Sequence, residues 1–296
     1  MVTVTVAIAL TAPIGSVAAE AVALPSFVLG AVHHTLTSEH VPGRFSVDVW
    51  TPAPPPQQPL PVLYVLDGNS QFAMVTQIVT PMMFAGELPP VVIVGIGYEV
   101  ENPMEIMALR SRDYFPTYTD GWAERMDAQG FPRPYDAKPG GADAFLSFVL
   151  EELKPFVEKR YPVDTTDETL VGLSAGGAFG AHVLFGNPSA FERYLIGSPA
   201  LAFDEGMLFE REAAFAKAND ALPATVFLSA GALEDRWEIR DETRRMVATL
   251  TSRGYEKLVL HHHEFPEETH ESVLAPTMSR GLRALFGAWP VSAGAE

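Results

Sequence analysis

The sequence contains no cysteine. Disulfides, thiolate metal sites and a cysteine nucleophile are thereby excluded, while the absence itself fits any compartment. Basic residues are scarce. There are 20 Lys and Arg against 37 Asp and Glu, a formal net charge of −17. A chain this acidic is a poor partner for nucleic acid or an anionic membrane surface, and it gives no electrostatic help with polyanionic substrates. No Lys or Arg precedes Arg44, so the small, apolar start from Met1 to Leu24 lacks the basic region of a secretory signal. Val17-Ala18-Ala19 and Ala21-Val22-Ala23 do resemble cleavage sites, whereas Val2 to Val6 alternates like a strand. An uncleaved extension over residues 1–26 and a cytoplasmic protein are the expectation, with a weak signal peptide as the alternative. No later run is long and apolar enough to span a membrane.

What is present suits a large core: 296 residues, 47% hydrophobic and 19% charged. Short apolar runs alternate with helical stretches. Phe27–Thr37 and Phe45–Trp50 read as two strands joined by a turn at Pro42-Gly43. Val62–Leu66 and Val91–Ile96 read as strands buried on both faces, with a helix over Gln71–Met83 between them. Further strands are expected before Ser174 and over Phe191–Ile196, Thr225–Ser229 and Lys257–His261. Helices are expected over Ala142–Arg160, Glu205–Asn219, Ile239–Arg253 and Val273–Phe286. Pro155 is placed to kink the first of these, whose stripe is Phe145, Phe148, Val149, Leu153 and Phe156. The pattern predicts an α/β domain over residues 27–296, with a mostly parallel sheet of about eight strands, the first two forming an antiparallel edge. Residues 101–141 break the rhythm. They carry Arg110, Arg112, Asp113, Tyr114, Trp122, Phe131 and Tyr135 without a clear period, and read as a lid-like loop.

The chemistry centres on Gly172-Leu-Ser174-Ala-Gly176, a G-x-S-x-G between an apolar run and an Ala/Gly-rich helix. That context makes a serine a nucleophile on a sharp turn. A Cβ at Gly172 or Gly176 is expected to collide with neighbouring backbone. Ser174 is followed by Glu234 and Asp235 after one strand end and His270 after another. Serine needs a base to activate it, histidine titrates near neutrality, and a carboxylate holds the imidazole in the required tautomer. Glu234 is narrowly preferred over Asp235 as that acid. The N–H groups of Asn69 and Ala175 are the expected oxyanion donors. Asp67 reads as a turn residue. His261-His262-His263 is the rival use of histidine, but no H-E-x-x-H or carboxylate set completes a metal site, so no metal and no cofactor are implied.

Several motifs occur together: Leu63-Tyr-Val-Leu-Asp-Gly-Asn69, Arg112-Asp-Tyr-Phe-Pro-Thr117, Gly140-Gly-Ala-Asp-Ala-Phe145, Gly172-Leu-Ser-Ala-Gly-Gly177, Gly197-Ser-Pro199 and Glu268-Thr-His-Glu-Ser-Val273. In these the chain resembles the "putative esterase" group of α/β-hydrolases, which includes siderophore esterases of the enterochelin type, feruloyl esterases, S-formylglutathione hydrolases and mycolyltransferases. The resemblance runs from about Phe27 to Phe286. It implies an α/β-hydrolase fold, Ser174 as nucleophile, His270 as base and Asn69 as an oxyanion donor, and leaves Glu234 against Asp235 open. The expected activity is hydrolysis of a small-molecule carboxylic ester through an acyl-enzyme. Trp122, Tyr114 and Arg112 are expected to line the substrate pocket. The alternatives are an acyltransferase using the same residues and a non-catalytic binding protein on a hydrolase scaffold.

Overall fold

The computed structural model describes residues 24–25, 28–54, 56–118, 120, 124, 138–235 and 238–287. In chain order the elements are β1 (Leu24–Pro25), β2 (Ala31–Thr37), β3 (Arg44–Trp50), β4 (Leu60–Val65), α1 (Gly68–Phe84), β5 (Val92–Tyr98) and α2 (Pro103–Tyr114). Then come α3 (Ala142–Ser147), a π turn (Phe148–Leu153), α4 (Lys154–Glu158), β6 (Val163–Leu173), α5 (Ala175–Gly186) and β7 (Arg193–Gly197). The remaining elements among the described residues are α6 (Met207–Ala218), β8 (Thr225–Gly231), α7 (Ile239–Arg253), β9 (Val259–Phe265) and α8 (Leu274–Phe286).

All strands join one sheet in the order β1-β2-β3-β5-β4-β6-β7-β8-β9. From β5 to β9 neighbouring strands are parallel; β3 runs antiparallel to β5, β2 to β3, and β1 to β2. The antiparallel edge is therefore as the sequence pattern predicts, with the two-residue β1 added outside it. Successive strand side chains point to opposite faces. Tyr64, Leu66, Val94, Ile96, Leu170, Tyr194 and Ile196 face α3, α4, α5 and α6, while Leu63, Val65, Ile93, Val171, Leu195 and Phe227 face α1 and α8. Both faces are dry, which is why β4 and β5 read as unbroken apolar runs.

One expectation needs correction and one is refined. The stretch 101–141 does not open as a loop: its first part is α2. Asn102 caps that helix through its side chain, which accepts from the Met104 N–H, and Pro103 supplies the first turn. Ile106, Ala108, Leu109 and Tyr114 pack toward the core, but the period is interrupted by Arg110, which pairs with Asp67, and by the buried Asp113. The expected Ala142–Arg160 helix runs unbroken from Ala142 to Glu158, its junction residues Ser147, Phe148, Leu153 and Lys154 all keeping helical backbone angles, but its hydrogen-bond ladder changes part-way. Pro155 lacks an N–H and its ring crowds the carbonyl four residues earlier, and the π turn over Phe148–Leu153 widens the ladder there. Val157, fully buried, takes the last core place, while Phe156 is only half-buried. Phe131, Tyr135 and Trp122 lie outside the described residues.

The order of strands fixes where a ligand can sit. The chain leaves β4 on one side to form β5 and resumes on the other side with β6. Crevices beyond the carboxyl ends of the strands at such a reversal are the usual ligand sites of parallel sheets. Here the segments flanking it are Asp67–Asn69 after β4 and Ser174 after β6.

Candidate active site

β6 runs directly into the turn at Ser174, and α5 begins at the next residue. Ser174 has φ 57° and ψ −116°, a conformation that costs energy in any residue with a Cβ. Three backbone hydrogen bonds hold it. Its N–H donates to the Gly197 carbonyl at 3.0 Å, and its carbonyl accepts from Ala178 and Ala200, each at 3.0 Å. Glycine is required at position 172, where a Cβ would run into the Gly176 carbonyl. Gly176 differs from expectation. A Cβ there would meet only Asp67 Oδ2 at 3.4 Å and Leu66 side-chain atoms at 3.5 Å, an ordinary contact. The tight approach belongs instead to Gly177, whose Cβ would lie 2.9 Å from the Gly197 carbonyl oxygen.

The loop before α8 brings His270 over this turn. Its Nε2 lies 3.1 Å from Ser174 Oγ and its Nδ1 lies 2.6 Å from Glu234 Oε1. An imidazole protonated at Nδ1 donates to the carboxylate and leaves Nε2 to accept the serine proton. The Glu234 side chain is 1% exposed and that of His270 21%. Burial makes the carboxylate's contacts count, because few waters screen it. Its second oxygen, Oε2, accepts from Ser198 Oγ at 2.8 Å and from the Gly231 N–H at 2.5 Å. Asp235 is not part of this line. Its carboxylate turns outward to Arg240, 2.5 Å away, because neighbouring residues leaving a strand end point in different directions.

Two helix N-termini meet beside Ser174. The first-turn N–H groups of a helix have no intrahelical acceptor, and the positive end of the dipole lies there. Ala175 begins α5 and Asn69 is the second residue of α1. The Asn69 side chain is fixed by the Tyr98 backbone, donating from Nδ2 to its carbonyl at 2.9 Å and accepting its N–H at 2.7 Å. Gly97 permits this approach, since a Cβ there would fall 2.5 Å from Asn69 Oδ1.

Behind the site lies a polar layer that the sequence did not reveal. Asp67 is the left-handed N-cap of α1, with φ 56°. Its carboxylate is gripped by Arg110, which also donates to the Leu173 carbonyl, and its N–H donates to Tyr114 Oη at 3.0 Å. Burial opposes the Arg110 charge, but the Asp67 carboxylate more than offsets this and holds the guanidinium above its usual range. Tyr114 is fully buried, and burial pushes its phenol well up. Arg112 is bound to Asp113 through two hydrogen bonds, 2.6 and 2.9 Å, and Asp113 also accepts from Tyr98 Oη at 3.1 Å. Burial lifts the Asp113 carboxyl although Arg112 opposes it. Tyr114 and Asp113 thus reach from α2 to the turn after β4 and to β5, while Arg112 holds Asp113 from the same helix; Trp122 falls outside the described residues. The only hint in the sequence was Arg110 and Arg112 spaced along what proves to be one helix.

Among the described residues no three His, Asp or Glu gather as a metal site, and no helix is long and apolar enough to cross a membrane. His262 and His263 on β9 are pushed toward the neutral form, mainly by burial.

Comparison with known proteins shows the family. The family model described as "Putative esterase" matches residues 38–272. The ferri-bacillibactin esterase BesA of Bacillus subtilis is 35% identical over 242 residues, covering 78% of this chain and 80% of BesA. The siderophore triacetylfusarinine C esterase of Aspergillus fumigatus is 29% identical over 261 residues, covering 78% and 83%. Among solved structures, the BES protein from Bacillus cereus superposes with a TM-score of 0.75 at 28% identity, covering 89% of this chain and 97% of that one.

Proposed function

The chain belongs to the "Putative esterase" family and is an ester hydrolase of the α/β-hydrolase fold; from that premise we propose that it cleaves its ester through an acyl-enzyme on Ser174, with His270 as base and Glu234 as the acid that orients it. The substrate class is a small iron-chelating ester, as the names of the bacillibactin and triacetylfusarinine C esterases imply. The observation that carries the mechanism is the unbroken line Glu234–His270–Ser174, at 2.6 and 3.1 Å.

In the first half-reaction Ser174 Oγ bonds to the ester carbonyl carbon while its proton passes to His270 Nε2. Negative charge builds on the carbonyl oxygen, which the N–H groups of Asn69 and Ala175 receive at the ends of two helix dipoles. Glu234 stabilises the imidazolium without taking its proton. Collapse breaks the ester C–O bond, and His270 returns the proton to the departing alcohol. Water then repeats the sequence on the acyl-enzyme, releasing the acid and restoring Ser174.

The test is hydrolysis of p-nitrophenyl butyrate and of a siderophore tri-ester by wild type, Ser174→Ala and His270→Ala. Each substitution is expected to lower kcat by about 10³-fold or more. Full activity in Ser174→Ala overturns the mechanism. Turnover of the nitrophenyl ester with none of the siderophore removes the substrate class and leaves the mechanism standing.

A further inference from the structure

One short segment after β7 touches both ends of the Glu234–His270–Ser174 line. The Gly197 carbonyl accepts the Ser174 N–H, and the Ala200 N–H donates to the Ser174 carbonyl, both at 3.0 Å. Between them sits Ser198, 1% exposed, with φ 42°. That conformation disfavours a residue bearing a Cβ, so something must compensate for it. Two hydrogen bonds do. The Ser198 N–H donates to the Ser229 carbonyl at 2.7 Å, and its hydroxyl donates to Glu234 Oε2 at 2.8 Å. The Gly231 N–H reaches the same Oε2 at 2.5 Å. Two donors on one carboxylate oxygen fix the plane of the group, and the other oxygen is left aimed at His270 Nδ1.

Glutamate needs such fixing more than aspartate would. Its longer side chain has one more rotatable bond, and therefore more conformational freedom to lose when its carboxylate is held at a single angle. The Gly231 N–H belongs to the strand end and would be there for any acid at position 234. The Ser198 hydroxyl is the tether supplied from a different strand, and it arrives on the segment that also holds the nucleophile's own backbone.

We propose that Ser198 is a positioning residue for ester hydrolysis: its hydroxyl locks the Glu234 carboxylate toward His270, and its strained backbone ties that lock to the turn carrying Ser174. The proposal rests on the reading of Glu234, His270 and Ser174 as one proton-transfer line. Ser198 touches no reacting atom and acts only through Glu234.

The experiment is a double-mutant cycle on p-nitrophenyl butyrate hydrolysis, with Ser198→Ala, Ser198→Gly, Glu234→Ala and the two combined variants. Thermal unfolding is followed for each. Ser198→Gly relaxes the φ 42° backbone, so a folded protein lacking the hydroxyl is obtained even where alanine strains the turn. Both single variants are expected to lose about tenfold in kcat with KM unchanged within about twofold, the size of one hydrogen bond to a charged group. In the Glu234→Ala background neither is expected to cost anything more, because the group it positions is gone. A kcat within about twofold of wild type in both single variants overturns the proposal, as does a loss confined to KM or one carried in full onto Glu234→Ala. A fully active Ser174→Ala or Glu234→Ala enzyme would instead remove the proton-transfer line itself, a different failure seen in different variants.

Discussion

The Arg110 guanidinium grips the Asp67 carboxylate through two hydrogen bonds, Nε to Oδ1 at 2.6 Å and Nη2 to Oδ2 at 3.1 Å, and Nη2 reaches the Leu173 carbonyl at 3.2 Å. One side chain on α2 therefore joins the turn before Asn69 to the residue before Ser174. Both partners are largely buried, at 14% and 10% side-chain exposure. Removing one leaves the other as an uncompensated charge, which costs more than the pair itself contributes.

Arg110→Met is accordingly expected to lose about 3 kcal/mol of stability and to lower kcat. Arg110→Lys keeps the charge but not the planar fork, and is expected to recover only part of the loss. Denaturant unfolding with parallel ester hydrolysis checks this. Wild-type stability in Arg110→Met would mean that the layer behind the site is not holding it.

The glycines of the Ser174 turn separate into two kinds. Gly172→Ala forces a Cβ into the Gly176 carbonyl, and neither piece of backbone can move without breaking the turn. Little soluble protein is expected. Gly176→Ala places its Cβ at ordinary contact distance in the first turn of a helix, where alanine is preferred over glycine by about 1 kcal/mol. It is expected to fold and to match or exceed wild type in Tm. Equal soluble yield and equal Tm for the two variants would contradict this difference in packing.

A pH effect on stability should come from His182 on α5, which is fully buried and bonded through Nε2 to Asp143 at 2.8 Å. Burial is the largest influence, with Arg211 adding to it, and together they hold the imidazole below its ordinary value of 6.5 despite Asp143. The folded protein then binds the proton less readily than the unfolded chain. Stability from this group is complete above 6.5 and is lost as pH falls toward the folded value. His182→Gln, which does not titrate, should show a smaller fall in Tm between pH 7.5 and pH 5 than wild type, by about 2 °C. An identical fall in both proteins would exclude His182 as the source.

The sheet was legible because its strands carry their own signal. β4 and β5 are buried on both faces and read as apolar runs, and the turn residues at their ends mark where they stop. The G-x-S-x-G turn, and the order of a serine, an acid and a histidine, were equally plain, and the structure brings His270 within hydrogen-bond reach of both Ser174 and Glu234. What stayed hidden depends on partners distant in sequence. Asp67 looks like a turn residue until Arg110, 43 positions later, meets it. Tyr114 stood out as an aromatic residue in a stretch without a clear period. Its full burial follows from α2, where Arg110 and Asp113 interrupt the apolar pattern, while Arg112 stays partly exposed beside Asp113. The divergence of Glu234 and Asp235 was foreseen in kind, but only the position of His270 and Ser198 determines which carboxylate faces inward.

The separation of Ser174, Glu234 and His270 along the chain has a consequence for the making of the protein. His270 follows Ser174 by 96 positions and Glu234 by 36. At a synthesis rate of about 5–20 residues per second, the serine leaves the ribosome roughly 5–20 s before the histidine proposed to activate it. During that interval β9 and the loop after it are still missing, and the serine stands on its turn without a base. On the proposed mechanism the enzyme is thus silent while it is being made, and ester hydrolysis first reports a chain whose last strand has docked.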